Sequence, residues 1–332
     1  MKDEPAWEQL VSRQHFAPFL QSWHWGEFQK SQGHAIHRVA YFRNGEPVGA
    51  AQGVITRSRY GTIFYVPYGP VLDWSDQALA RAFLMKLVSV ARARGADYLR
   101  IDPRVETSPA TRSILEESGF RKAPVFVQAE FDLVLDVGSH TEQELMANLR
   151  KTTRNLVRKA TSIGVKIETT RSAERFDAFQ SLLDATAKRH NVTFQGRDYL
   201  RAQFEKMSEA GIDELVLAEY EGRPAAAAII AFYGDNASYV HGASQPASRV
   251  PASYLLQWSA ILEAKRRQLK YYIFWGVASN EDPRNPLHGT TLFKRGFGGE
   301  SVTYVGAWDY PFGSRYWLVW VVETIRRRIR RL

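Results

Sequence analysis

The sequence predicts a mixed α/β chain of two similar domains in tandem, each a mixed sheet flanked by helices, with a further helix at the C-terminal end. Three observations carry this. The length, 332 residues, exceeds what one compact core comfortably organises. One order of strand, Gly-containing turn, strand and long amphipathic stretch occurs twice, roughly 175 residues apart, which is a domain-sized period. The last stretch, Arg315 to Leu332, reads as an amphipathic helix rich in Trp, Val and Arg.

Taken in order, Arg38 to Phe42 runs into Asn44-Gly45-Glu46 and returns as Pro47 to Gln52. In the second half Leu215 to Tyr220 meets Glu221-Gly222-Arg223 and returns as Pro224 to Phe232. β-branched and aromatic runs closing on a glycine turn read as hairpins. An aromatic strand follows each, Thr62 to Val66 and Ala237 to Val240, then a long helix, Gln77 to Arg94 and Ala252 to Gln268. Both helices end in basic residues, which suit the negative end of the helix dipole. Matching strands come next, Asp97 to Asp102 and Lys270 to Trp275. The pair Ser113 to Phe120 and Thr291 to Phe297 then repeats a short helix closing on Gly-Phe. This element order is that of the GNAT-type acyltransferase fold. The strand Glu130 to Leu135 is read as the end of the first domain and Thr141 to Ile163 as one helix opening the second. The expected divisions are 1–138, 139–313 and a C-terminal basic amphipathic helix over 314–332.

The composition is that of a soluble globular chain, 45% hydrophobic and 24% charged. No apolar run is long enough to span a bilayer, and the N-terminus, MKDEPAWEQL, lacks signal-peptide character. A cytoplasmic location is expected. With no cysteine there is no thiol nucleophile and no thiolate metal site, and the eight histidines show no ligand spacing. No metal is expected. The +9 formal charge points to anionic partners such as nucleic acid, nucleotide sugars or an acidic membrane surface. Two clusters hold much of it: Arg150, Lys151, Arg154, Arg158 and Lys159 mid-chain, and Arg326, Arg327, Arg328, Arg330 and Arg331 at the end.

CoA-using GNAT proteins cradle pyrophosphate on a glycine-rich turn at the start of the long helix. Here those turns are Val71 to Asp76 and Ser248 to Ser253, without spaced glycines. That argues for a different acyl donor. The stretch Tyr271 to Gly299 draws most attention: a strand ending in Trp275-Gly276, a loop rich in Asn and Pro, and a helical turn closing on Gly296-Phe297-Gly298-Gly299. Lys294 and Arg295 lie there among aromatics, either as ligands of an anionic substrate or as solvated ends of a glycine-capped helix.

Seven stretches stand out in order: Gln21-Ser22-Trp23-His24-Trp25-Gly26-Glu27-Phe28, Tyr65-Val66-Pro67-Tyr68-Gly69-Pro70-Val71, Leu99-Arg100-Ile101-Asp102-Pro103, Leu149 to Arg154, Arg189-His190, the Trp275-Gly276 loop and Leu292 to Gly299. In them the chain resembles the FemABX family, tRNA-dependent aminoacyltransferases that build peptidoglycan cross-bridges. These stretches cover nearly the whole chain in the family's order. The resemblance implies tandem GNAT-like domains. It also implies transfer of an amino acid from aminoacyl-tRNA, a co-substrate with no cofactor, to the side-chain amine of the third stem-peptide residue. The acceptor is UDP-MurNAc-pentapeptide or lipid II. Peripheral contact with the inner membrane face goes with the lipid-linked acceptor. It implies Lys294 as the group at the tRNA terminus and the transition state, and Phe293 as a stacking platform for the terminal adenine, unless Phe293 is a core residue of its helix. Arg295 is then a phosphate-contacting or solvated flank. Asp102 matches an acidic residue read as general base; the alternatives are a strand-end Asp paired with Arg100 or Arg104, and a base supplied by the substrate. Gln29, Lys30, Tyr68, Gln195, Arg197 and Tyr199 fall at muropeptide-contacting positions, with Gln195 standing where the family has an arginine and Arg197 as its substitute. Tyr68 departs from a frequently basic position, and Ile273 from a frequently acidic one. Tyr199 to Gly211 runs directly into the next strand, which leaves no room for the coiled-coil arm of some members. Arg326, Arg327 and Arg330 are then the candidates for tRNA phosphates, with an interfacial helix on an anionic membrane and a plain solvated helix end as alternatives. A CoA-dependent N-acyltransferase and a non-catalytic tRNA- or membrane-binding protein are the competing readings.

Overall fold

A computed structural model describes residues 3–190, 194–245 and 250–330, without the side chains of His190 and residues 328–330. The chain divides into two compact units, Met1–Glu130 with Thr303–Leu332, and Phe131–Val302.

The first unit opens with α1 (Glu4–Ser12) and α2 (Trp23–Ser31), then the hairpin β1 (Ala35–Arg43) and β2 (Glu46–Ser58), β3 (Gly61–Tyr68) and the short β4 (Val71–Leu72). Helix α3 (Gln77–Ala93) follows, then β5 (Tyr98–Pro103), α4 (Pro109–Glu117) and β6 (Arg121–Lys122). Helix α3 forms where Asp76 caps its start, accepting from the Leu79 amide at 2.9 Å. Leu79, Ala80, Phe83, Leu84, Leu87, Val88 and Ala91 all fall on its buried face.

The second unit holds β7 (Phe131–Asp136), α5 (Glu142–Asn148), α6 (Lys151–Ser162), β8 (Lys166–Thr170), α7 (Phe176–His190) and α8 (Arg197–Glu209). It continues with β9 (Asp213–Tyr220), β10 (Arg223–Tyr233), β11 (Asn236–Ser244), α9 (Ala252–Arg266), β12 (Tyr271–Gly276), α10 (His288–Arg295) and β13 (Glu300–Thr303). The chain then returns to the first unit as β14 (Trp308–Pro311) and α11 (Arg315–Arg330).

The sheet orders are β1-β2-β3-β5-β14-β6, with β4 beside β2, and β13-β7-β12-β11-β10-β9-β8. Each sheet contains one parallel pair, β3 with β5 and β11 with β12, beside antiparallel neighbours such as β1–β2, β2–β3, β9–β10 and β7–β12. The two hairpins, both long helices and the paired central strands expected from the repeat are all present. The outer strands, however, are exchanged. β7, read from the sequence as closing the first domain, pairs antiparallel with β12 of the second unit. β14 pairs with β5 of the first. The units therefore divide after Glu130 rather than at 138, and residues 303–313 belong with the first unit rather than with the second, as does the C-terminal helix that the sequence sets apart. Strand periodicity says which face is apolar and not which sheet a strand joins.

The expected single helix Thr141 to Ile163 is two. Leu149 and Arg150 are extended, with ψ of 140° and 138°. Leu149 is buried, and the Arg150 amide bonds the Gly296 carbonyl at 2.9 Å instead of an intrahelical acceptor. Helices α7 and α8, 15 and 13 residues long, pack Phe176, Phe179, Leu183 and Phe204 against the second sheet. Among the described residues neither projects as an arm.

Candidate active site

The second unit's parallel pair sets up the site. β11 and β12 are paired only from Asn236↔Tyr271 to Ser238↔Ile273, although both strands run on. The equivalent pair in the first unit stays joined over six residues, Ile63↔Tyr98 to Tyr68↔Pro103. A bulge in β11 adds to the divergence: Ile229 faces His241 but Ile230 faces Tyr239, leaving Val240 over. The second sheet is thus forked at the carboxyl ends of two adjacent parallel strands, a place where open α/β sheets commonly receive ligands.

Lys294, from α10, lies at this fork. Its Nζ donates to the Gly276 carbonyl at 2.6 Å and stands 5.9 Å from the centre of the Tyr239 ring. Trp275, just before that carbonyl, holds φ at 63°, a left-handed conformation that bulky side chains avoid. Only 6% of Lys294 is exposed. Burial pulls its pKa down to about 8, opposed by the charge of Asp132 on β7. An ammonium has three donors; among the described residues Lys294 uses one. Two N–H groups have no acceptor among the described residues.

The neighbours of Lys294 answer the other expectations for α10. Phe293 meets Tyr254 and Phe297 edge-on, with ring centres 5.0 and 5.4 Å apart, and is half-buried on the core. This is the core arrangement weighed above. Arg295 pairs with Glu281 at 2.9 Å on the surface. Gly299, with φ at 91°, has to be glycine: an added Cβ would stand 2.6 Å from the Val134 carbonyl oxygen.

Helix α6 begins against the end of α10, since the Arg150 guanidinium also donates to the Leu292 carbonyl at 2.6 Å. It contains no acidic residue, and Lys151, Arg158 and Lys159 are exposed. Neither these three nor Arg154 joins an ion pair among the described residues, whereas Arg171, Arg175, Arg197, Arg201 and Arg267 of the same unit all do. Unneutralised positive charge therefore leads from α6 toward α10. Gln195 and Arg197 line a small cavity of about 260 Å³ with Phe194, Gln180 and Asp184. Arg197 is paired with Asp177 at 2.9 Å, and Tyr199 packs on the α7–α8 core.

In the first unit, Asp102 and Tyr68 are brought together. Asp102, 4% exposed, accepts from the Tyr68 amide and the Tyr65 hydroxyl, each at 2.7 Å. Burial lifts its carboxyl to about pKa 7 in spite of these donors. The same burial, together with Asp102, drives the Tyr65 phenol well above its ordinary value. Neither arginine proposed as a partner of Asp102 takes that place. Arg100 forms ion pairs with Asp309 at 2.7 Å and Glu323 at 2.8 Å, and Arg104 lies over the rings of Tyr68 and Tyr304. Tyr68, with φ at 50°, lines a cavity of about 400 Å³ along with Phe16, Trp74, Arg104 and Glu106. Asp102 stands behind that wall rather than in it. On α2, Gln29 is buried, while Lys30 is exposed and paired with Glu27 at 2.7 Å.

Two arginines of α11 have local partners. Arg326 lies over the Tyr60 ring and Arg327 donates to the Pro124 carbonyl at 3.2 Å; the side chain of Arg330 is outside the described residues. Tyr65, Asp132 and Tyr239 were not singled out from the sequence as site residues, and Arg104 was named only as a possible partner of Asp102, because each acquires its neighbour through strand pairing that no local spacing announces.

A family model described as the FemAB family matches residues 4–118, 118–221 and 205–324. A lipid II:glycine glycyltransferase of Staphylococcus haemolyticus is 21% identical over 387 residues, covering 93% of this chain and 91% of that one. Among solved structures, the crystal structure of FemX superposes with a TM-score of 0.88 at 19% identity, over 97% of this chain and 99% of that one. A tandem GNAT protein from the clavulanic acid biosynthesis pathway gives 0.57 at 12% identity, over 93% and 95%. These superpositions establish two tandem GNAT-like domains as the fold.

Proposed function

The chain belongs to the FemAB family, and from that premise we propose that it transfers an aminoacyl group to a peptidoglycan precursor. The donor in this reading is aminoacyl-tRNA. The acceptor is the side-chain amine of the third stem-peptide residue on lipid II or its UDP-linked precursor. The relative named as a lipid II:glycine glycyltransferase, matched over nearly its whole length, supports the acceptor class. The basic, acid-free surface of α6 beside α10 supports a polyanionic donor.

The observation that carries the reading is Lys294, a buried ammonium with two unused donors at the fork of the second sheet. The neutral acceptor amine attacks the ester carbonyl carbon and the new C–N bond forms. Charge develops on the carbonyl oxygen, where the Lys294 ammonium stabilises it. The bond to the ribose oxygen then breaks, the amine gives up its proton, and the terminal adenosine leaves with a free hydroxyl. No covalent enzyme intermediate is required. The first unit's cavity, with aromatic walls and Arg104, is assigned to the muropeptide. Asp102, shut behind Tyr65 and Tyr68, holds that wall in place rather than taking the proton.

CoA dependence is the second reading, and α3 disfavours it in the first unit. Asp76 occupies the helix start and pairs with Arg43 at 2.8 Å, so a carboxylate sits where a pyrophosphate would have to bind. The test is transfer of labelled amino acids from a full pool of aminoacyl-tRNAs to lipid II or UDP-MurNAc-pentapeptide, with ribonuclease, acetyl-CoA and Lys294→Met arms. Ribonuclease-sensitive transfer that collapses in the variant supports the reading. Transfer from acetyl-CoA, or none from any tRNA, overturns it.

A further inference from the structure

Helix α11 carries a feature that the transfer reaction does not use. Its inner face is seated on the first sheet, where Tyr316 and Val319 pack against Tyr98. Its outer face is apolar: Trp317, Leu318, Val321 and Ile325 are 46%, 54%, 46% and 52% exposed. At about 100° per residue these four fall within one sector of the helix, opposite Tyr316 and Val319. Glu323, the only acid of the helix, is turned inward onto Arg100. The segment before β7 runs alongside. Arg121 lies 4.8 Å over the Trp317 ring, and Arg327 bonds Pro124 near the other end. That segment exposes Phe126 and Val127, so six of the eleven exposed large apolar side chains among the described residues gather here. A soluble surface seldom concentrates them so.

We propose that α11 and the adjoining 124–127 segment form an interfacial surface that seats the protein on an anionic lipid bilayer. Charge selects this occupant. The outer face has no acid, Arg315 and Arg326 are exposed at its two ends, and the last seven residues of the sequence include five arginines. Anionic headgroups neutralise such a cluster while the acyl boundary takes up Trp, Leu, Val and Ile. A second copy of the chain brings the same arginines and meets them with like charge. An RNA backbone leaves the apolar sector facing phosphates. Among the described residues no helix is long and apolar enough to cross a membrane, so the helix lies on the surface.

The full-length protein is tested by co-sedimentation with vesicles of phosphatidylcholine alone and of phosphatidylcholine with one-quarter phosphatidylglycerol, neither containing lipid II. Binding at least tenfold tighter to the anionic vesicles is expected, lost about tenfold or more in Leu318→Glu/Ile325→Glu and kept in Met85→Glu, a control at an exposed apolar site on α3. Far-UV circular dichroism and the melting temperature establish that the double variant is folded. Equal binding to both vesicle types overturns the proposal, as does undiminished binding by the double variant. A dimer in sedimentation velocity that the double variant dissolves assigns the face to a second copy, and loss of tRNA affinity in that variant assigns it to RNA; either overturns it too. Since no acceptor or tRNA enters the vesicle assay, its outcome is independent of the transfer reaction.

Discussion

Alkaline pH should remove the charge of Lys294 and so cap the rate of transfer. Its ammonium is held at a pKa of about 8 because the fork buries it, with Asp132 as the opposing influence. At pH 9 about a tenth of the molecules would keep the charge, whereas an ordinary lysine, near 10.4, would keep nearly all of it. If the charge stabilises the oxyanion, the rate falls roughly tenfold for each pH unit above 8. The acceptor amine pulls the other way, since it must be neutral to attack and gains roughly tenfold in that form per pH unit below its own pKa near 10.4, so the two trends cancel above pH 8: kcat/KM should climb up to about pH 8 and be level from there to pH 9.5. The assay is single-turnover transfer from labelled aminoacyl-tRNA between pH 6.5 and 9.5, corrected for spontaneous ester hydrolysis measured without enzyme. Lys294→Met should lower the rate about 10²–10³-fold, the cost of a lost oxyanion donor, and its residual rate should keep climbing above pH 8. A wild-type rate still climbing at pH 9.5 would refute the argument. So would the same levelling above pH 8 in the variant.

Three further outcomes follow from the geometry. Asp102 has its folded-state pKa raised to about 7; its contribution to stability is complete below about pH 4 and is lost as the pH rises through 7, by a few kcal/mol. Urea unfolding of Asp102→Asn should show a flatter profile between pH 4.5 and 7.5 than wild type, and parallel profiles would contradict the assignment. Arg100→Leu leaves Asp309, fully buried, without its cation and should cost about 3–5 kcal/mol in the same measurement; a loss under 1 kcal/mol would mean the pair is not closed. Gly299→Ala drives a methyl into the Val134 carbonyl at a left-handed residue and should lower stability by about 2 kcal/mol or more, with unchanged melting counting against the described turn.

Local elements were readable in the sequence because local rules specify them. The Asn44-Gly45 and Glu221-Gly222 turns sit between β-prone runs, and the observed hairpins, β1–β2 and β9–β10, extend the expected strands by a few residues. Helix α3 ends one residue from its expected limit and α9 two. The Leu149-Arg150 break was hidden, since Thr141 to Ile163 keeps a helical pattern and the competing acceptor, the Gly296 carbonyl, lies 146 residues away in sequence. The site was legible to the same extent. Lys294 stood out by its motif, but its seclusion depends on β11 and β12 parting after three residue pairs. Asp102 was visible as a strand-end acid; that Tyr65 and Tyr68 enclose it follows from the β3–β5 register, which spacing alone does not set.

The exchange of β7 and β14 has a consequence for the protein while it is still being made. Residues 131–302 are continuous in sequence, so the second unit can assemble as soon as they have left the ribosome. The first unit is begun earlier and finished later. Arg100 must wait 209 residues for Asp309, and β5 as long for β14. At roughly 5–20 residues per second of synthesis, that is an interval of about 10–40 s. Through it the edge of β5 and its arginine stay uncovered on a nascent chain. Rare codons or a chaperone acting between residues 100 and 309 would therefore fall on the period when this half is most exposed to wrong partners.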